Sequence, residues 1–204
     1  VDEIAYHTRC VSRGSSKTLI IGDLPFGSYT TCEQTLTNAV KLMQAGAHIV
    51  KLEGSEWLAE YITAFSDRGI PVCAHLGLTP QSVNKLGGYR VQGKEAEKAN
   101  LMINTAKELV EAGADMILLE CVPTSLAEQI TEKVKVPVIG IGAGNVTDGQ
   151  VLVMHDLLGI SSGHKPKFVK NFMAEADSIL EAFTHYDRAV KSAEFPSAAY
   201  SFSG

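Results

Sequence analysis

The chain contains no run of about 18 or more apolar residues, so no transmembrane helix is expected. It has no block of basic residues: 18 Lys and Arg stand against 23 Asp and Glu, for a net charge of -5. Nothing in that balance points to nucleic acid. No secretory signal peptide is visible. The first residue is Val1 rather than Met, and "VDEIAYHTRCVSRG" reads as a helix already under way. Cysteine is sparse: Cys10, Cys32, Cys73 and Cys121 are scattered without CxxC spacing. They read as reduced thiols in a reducing compartment, not as a disulfide frame or a zinc site. The expected location is cytoplasmic. No low-complexity segment, P-loop or nucleophile elbow is present. "GIGAGN" (140–145) is Gly-rich but lacks the dinucleotide-binding spacing, which makes it a weak phosphate signal.

What is present is a rhythm. With 204 residues and 45% hydrophobic content, the chain can build one sizeable core, and one domain over 1–204 is expected. Short apolar runs alternate with amphipathic segments. The runs are 18–23, 48–53, 70–75, 115–120, 136–144 and, less clearly, "VLVMHD" at 151–156. Nearly continuous in Val, Ile, Leu and Met, they resemble strands buried on both faces of a parallel sheet. Between them, 33–46 places Leu36, Val40 and Met43 on one helical face. Residues 96–113 do the same with Leu101, Ile103, Leu109 and Val110. Gly46 and Gly113 each close a helix and lead directly into a strand, where a glycine can adopt positive φ.

Strand–helix alternation implies a parallel sheet with right-handed crossovers. An open doubly wound sheet and a (β/α)8 barrel both fit. Six runs are two short of a barrel's eight strands and about 250 residues. On the barrel reading, about two N-terminal βα units are missing. Residues 76–95 form a long Gly-rich connection of the kind that serves as a lid or binding loop. From about 165 to 204 a helical tail is expected, with a helix over 167–185 and a second, short one.

The strand ends are polar: Asp23, then Lys51 and Glu53, then His75, then Glu120. Ligands bind at the carboxyl ends of strands in parallel α/β folds. Lys51 and Glu53 are two apart, so a strand points both to one face. Any one acidic strand end is more often a helix cap or a salt bridge than a catalyst. His75 alone would more often be a hydrogen-bonded core residue, and His155 and Asp156 read as structural. The set as a whole has a definable chemistry. Carboxylate oxygens suit Mg2+, a lysine can pair with a substrate carboxylate, and Glu120 could act as a general base. Together they describe a site that chelates a 2-oxo acid and removes the proton beside its carbonyl, the metal stabilising the enolate.

Longer motifs then become recognisable. "DLPFGSY" (23–29), "VKLEG" (50–54), "CAHLGLTPQSVNKLGGYRVQG" (73–93), "LLECVP" (118–123), "PVIGIGAGNVTDGQVLVMHDLLGI" (137–160) and "KFVKNF" (167–172) resemble the ketopantoate hydroxymethyltransferase family over nearly the whole chain. The resemblance implies a TIM barrel of the phosphoenolpyruvate/pyruvate type. It implies Mg2+, 5,10-methylenetetrahydrofolate as co-substrate, and one-carbon transfer to 3-methyl-2-oxobutanoate to give 2-dehydropantoate in pantothenate synthesis. It also implies a cytoplasmic homo-oligomer, a decamer in bacteria. Residue by residue, it puts a metal and substrate ligand at Asp23, a substrate-carboxylate contact at Lys51 and a metal carboxylate at Glu53. It puts a substrate-side polar group at His75 and the proton acceptor at Glu120. The folate contacts are not given by the motifs.

One departure stands out. The family opens with two strands, the second ending in a Gly-Asp-Ser motif that supplies a further metal ligand, and this chain has no counterpart. "IGD" (21–23) is followed by Leu24. A non-catalytic fragment or assembly module is therefore the alternative, although such a module has no need of all five polar strand-end residues. A carbon–carbon lyase of the isocitrate lyase kind would carry a "KKCGH"-like loop, which is absent from 76–95.

Overall fold

The computed structural model describes residues 1–163 and 165–203. In chain order its elements are α1 (Asp2–Gly14), β1 (Ile21–Asp23), α2 (Cys32–Gln44), β2 (Ile49–Glu53), α3 (Leu58–Ser66), β3 (Val72–Gly77), α4 (Val83–Leu86), α5 (Ala96–Glu111), β4 (Met116–Glu120), α6 (Thr124–Lys133), β5 (Val138–Ile141), β6 (Gly149–Gln150), α7 (Met154–Leu157) and α8 (Ile179–Lys191). Short 3-10 turns occupy Pro80–Ser82, Phe172–Glu175 and Ala198–Tyr200. The strands pair in the order β1-β2-β3-β4-β5-β6, every pair parallel. Strand order that simply follows the chain is the mark of a barrel wall, whereas a doubly wound sheet reverses at a switch point. The sheet curls as half of a TIM barrel.

Alternation along the strands builds two different faces. Val50, Leu52, Val72, Ala74, Leu76, Ile117 and Leu119 pack under the helices, against Leu42, Leu58, Ile62, Phe65, Leu109 and Ile130. Burying one such side chain stabilises by about 1.5–3 kcal/mol, so this layer is the main source of stability. The opposite face begins apolar, with Ile49, Cys73, Met116 and Leu118. Toward the carboxyl ends it turns charged, because Lys51, Glu53, His75 and Glu120 continue the same every-second-residue rows. A third cluster of Leu157, Leu158, Phe172, Ala182 and Phe195 docks the tail.

Gly46 and Gly113 close their helices at φ +108° and +111°. Several local expectations need correction. Residues 151–156 are not a strand: β6 is Gly149–Gln150, and Met154 starts α7. His155 and Asp156 thus lie on a helix, where Asp156 accepts a bond from the Ser161 hydroxyl at 2.5 Å. The helix expected over 167–185 is instead the turn Phe172–Glu175 followed by α8, because Ser178 caps a new helix by accepting from the Glu181 N–H. The expected tail runs to residue 204, which lies outside the described residues. Val40 and Leu101 are exposed. The buried faces are Thr35, Ala39 and Leu42 on α2, and Ile103, Ala106 and Leu109 on α5, which keep the three- and four-residue spacing and include the expected Ile103 and Leu109. The 76–95 connection carries a 3-10 turn and the one-turn α4 rather than a plain loop.

Gly77 is the tightest point of the wall. Its φ is +91°, and a Cβ there would lie 2.3 Å from the Glu120 carbonyl oxygen. Gly77→Ala is expected to destabilise by at least about 2 kcal/mol, whereas Gly14→Ala, in open space at the end of α1, should be neutral or stabilise by up to about 1 kcal/mol. Urea denaturation of the two variants measures the contrast.

Candidate active site

Strand register assembles the polar strand ends into one row. Asp23 is paired in register with Lys51, Glu53 with His75, and Glu120 with Gly77. The Lys51 ammonium donates to Asp23 Oδ1 at 2.7 Å and to Glu53 Oε1 at 3.0 Å. The same Glu53 oxygen lies 3.5 Å from His75 Nδ1, and His75 Nε2 lies 3.3 Å from Glu120 Oε2. Signs therefore alternate across four strands, from Asp23 through Lys51, Glu53 and His75 to Glu120. All five residues expected from the sequence meet in this row. One detail differs: β3 continues two residues past His75, so the imidazole sits inside the strand rather than at its tip.

The environment sets the charges. Burial opposes ionisation of Glu53, but His75, Lys51 and the Gln81 N–H outweigh it and bring its carboxyl down to about 2. Burial alone would lower Lys51, yet Asp23 and Glu53 hold its ammonium above the usual lysine range. Burial would also lower His75, and the flanking Glu120 and Glu53 carboxylates overcome it and raise the imidazole. Asp23 is the outermost member, with 47% of its side chain open. Even so, desolvation of its carboxyl exceeds the help from Lys51 and raises it. His75 is only 2% exposed, and both ring nitrogens face carboxylates, at 3.5 and 3.3 Å, without completing a hydrogen bond. A buried polar side chain in that condition is poised to tighten when a ligand fills the site.

Sequence reasoning gave no role to three supporting residues. The Gln81 N–H donates to Glu53 Oε2 at 2.9 Å, and its side chain donates to the Leu24 carbonyl at 2.9 Å. The Tyr29 hydroxyl donates to Gln81 Oε1 at 2.6 Å, and burial pushes this phenol up to about 12. Cys121, directly after Glu120, has φ +49°, a conformation unusual for a residue with a side chain. Available signals were the "TPQS" turn start, with Pro at its first helical position, and the "DLPFGSY" motif. The Cys121 conformation left no trace in residue type. Burial pushes the Cys73 and Cys121 thiols up to about 12, so both are protonated and unreactive.

A hard cation can be tested against this donor set. Asp23 and Glu53 present carboxylate oxygens on neighbouring strands, which suits Mg2+, an ion that takes one or two carboxylates and keeps several waters. Among the described residues no group of three or more His, Cys, Asp and Glu side chains is arranged around one ion position. The fit is thus that of a two-carboxylate site completed by substrate and water.

Fold and row together are those of an α/β-barrel protein with a candidate site at the carboxyl ends of the strands. Comparison narrows the class. The family model described as ketopantoate hydroxymethyltransferase matches residues 1–198, and the chain belongs to that family. It is 60% identical over 202 residues to 3-methyl-2-oxobutanoate hydroxymethyltransferase 2 of Hahella chejuensis, covering 99% of this chain and 76% of that protein. The 3-methyl-2-oxobutanoate hydroxymethyltransferase of Stutzerimonas stutzeri is 59% identical, with 100% of this chain and 77% of that one covered. Solved structures share the fold at low identity. A putative phosphonomutase from Burkholderia cenocepacia aligns with TM-score 0.55 and 17% identity, over 68% of this chain and 61% of its own. A phosphonopyruvate hydrolase aligns with TM-score 0.53 and 15% identity, over 95% and 78%.

The depressed Glu53 carboxyl has a consequence for stability. Its contribution is present above the unfolded value of 4.5 and is lost as pH falls toward about 2. In metal-free buffer, the stability difference between wild type and Glu53→Gln is expected to shrink steadily from pH 5 to the lowest pH at which both fold. Urea midpoints along that series read it, and a pH-independent difference would exclude a depressed Glu53 carboxyl.

Proposed function

We propose that the chain transfers a hydroxymethyl group from 5,10-methylenetetrahydrofolate to 3-methyl-2-oxobutanoate, giving 2-dehydropantoate. The observation that carries this reading is the Asp23–Lys51–Glu53–His75–Glu120 row in a chain of this family. Lys51 is the cation available to the substrate carboxylate. Asp23 and Glu53 would hold Mg2+, which when bound supplies Lewis-acid charge at the 2-oxo group. Glu120 accepts the C3 proton, and His75, between Glu120 and Glu53, orients the acceptor carboxylate. Carbon C3 then bonds to the methylene carbon of the donor, both bonds from that carbon to the carrier's two nitrogens break, and water supplies the hydroxyl, with the C3 proton and one proton of that water ending on the freed nitrogens. A homo-oligomer acting on these two small molecules in the cytoplasm is part of the same proposal.

The reading is tested on its first half. Metal-dependent exchange of the C3 proton of 3-methyl-2-oxobutanoate in D2O, followed by NMR without folate, is the expected result for wild type. Glu120→Gln should reduce it by about 10²-fold or more, the usual yield of a positioned base. Exchange at the wild-type rate in that variant would assign the base elsewhere. Loss of exchange in the folded wild-type chain would favour the non-catalytic alternative.

A further inference from the structure

A cavity of about 410 Å3 opens beside the charged row, within the usual range for small-molecule sites of about 300–1,000 Å3. Glu53 belongs to both. Its Oε1 faces Lys51 and His75, its Oε2 accepts from the Gln81 N–H, and Gln81 also lines the cavity. The remaining wall is aromatic. Phe26 and Tyr29 come from the connection after β1, and Trp57 and Tyr61 from the start of α3. The Tyr29 and Trp57 rings lie parallel, 8° apart in plane and 6.2 Å between centroids, and Tyr61 meets Trp57 edge-on at 5.7 Å. Core packing accounts for Tyr29, which is buried, but not for Phe26 and Trp57, which are 79% and 47% exposed. Open aromatic faces above a small polar floor match a flat, hydrogen-bonding heterocycle.

We propose that this cleft binds the bicyclic ring of the one-carbon donor, a reduced pterin, stacked on Trp57 and Phe26 with its polar edge toward Gln81. The inference rests on the transferase reading above, since that reading supplies the donor. It adds where the donor sits: outward of Glu53, with Glu53 the residue shared between the two reactant sites. Nothing else in the row offers an aromatic surface.

Trp57 is the one tryptophan of the chain and reports directly on the cleft. Titration with tetrahydrofolate is expected to quench its emission saturably, and the ring fragment pterin-6-carboxylate should compete. Trp57→Leu should raise KM for the donor about tenfold, while KM for the oxo acid stays within about twofold and Trp57→Phe recovers most of the loss. An unchanged donor KM in Trp57→Leu overturns the inference and leaves the transferase reading intact. So does emission that ignores tetrahydrofolate; a response to protein dilution instead would mean that a second copy covers the cleft. If wild type shows no C3 exchange, the transferase reading fails separately, and the tetrahydrofolate titration still decides the cleft.

Discussion

The Lys51 ammonium, held between the Asp23 and Glu53 carboxylates, is the interaction on which the site depends. The Lys51 and Glu53 side chains are 11% and 3% exposed, so the charges sit where desolvation is costly. Removing one partner from such a pair typically costs about 3–5 kcal/mol, because the other is left buried and uncompensated. Lys51 also separates two carboxylates that would otherwise repel across neighbouring strands, and His75 does the same for Glu53 and Glu120. Register follows from this. A slip of one residue in β2 would drive Lys51 and Glu53 into the helix-facing core and bring Leu52 to the mouth. Electrostatic alternation and hydrophobic alternation therefore select the same alignment.

Much of this was legible in the residues. Lys51 and Glu53 had to share a face because a strand repeats every two residues, and parallel pairing then had to bring Asp23, His75 and Glu120 to the same end. The stop signals at Gly46 and Gly113 were equally readable, since positive φ after a helix favours glycine. "VLVMHD" misled because a short apolar run has no period long enough to separate a strand from a half-turn followed by a helix. Val40 and Leu101 misled for a related reason. Under a curved sheet the buried stripe runs through Ala39 and Leu42 on one helix and Ile103, Ala106 and Leu109 on the other, and Val40 and Leu101 fall outside it. Support from Gln81 to Glu53 was legible only as the turn start at "TPQS", because a backbone N–H carries no residue signature.

Strain is concentrated beside Glu120. Gly77 lies in register with it at positive φ, and Cys121 follows it with φ +49°. Glycine adopts such a φ freely, but at Cys121 it costs of order 1–3 kcal/mol and persists only where the surroundings over-determine it. Here the Cys121 N–H bonds to the Ile141 carbonyl, the Cys121 carbonyl accepts from the Gln92 N–H, and the Leu78 N–H bonds to the Glu120 carbonyl. The apolar layer under the helices supplies the stability that tolerates this. The result is a backbone that turns sharply at the strand end and leaves the Glu120 carboxylate facing His75.

The charge of the row also bears on the order in which ligands would enter. Counting the Lys51 ammonium and a protonated His75 against the three carboxylates they touch leaves one surplus negative charge. An anionic 2-oxo acid entering alone would add to that surplus in a site with little solvent to screen it. A divalent cation entering first would reverse the sign, and the acid would then restore neutrality. The same arithmetic separates the two pockets. The proposed donor ring is neutral, would gain nothing from the row's charge, and would find its complement in the aromatic cleft on the other side of Glu53. One carboxylate at the boundary thus divides a site governed by charge from one governed by stacking, and the carbon–carbon bond in the proposed reaction would form where the two meet.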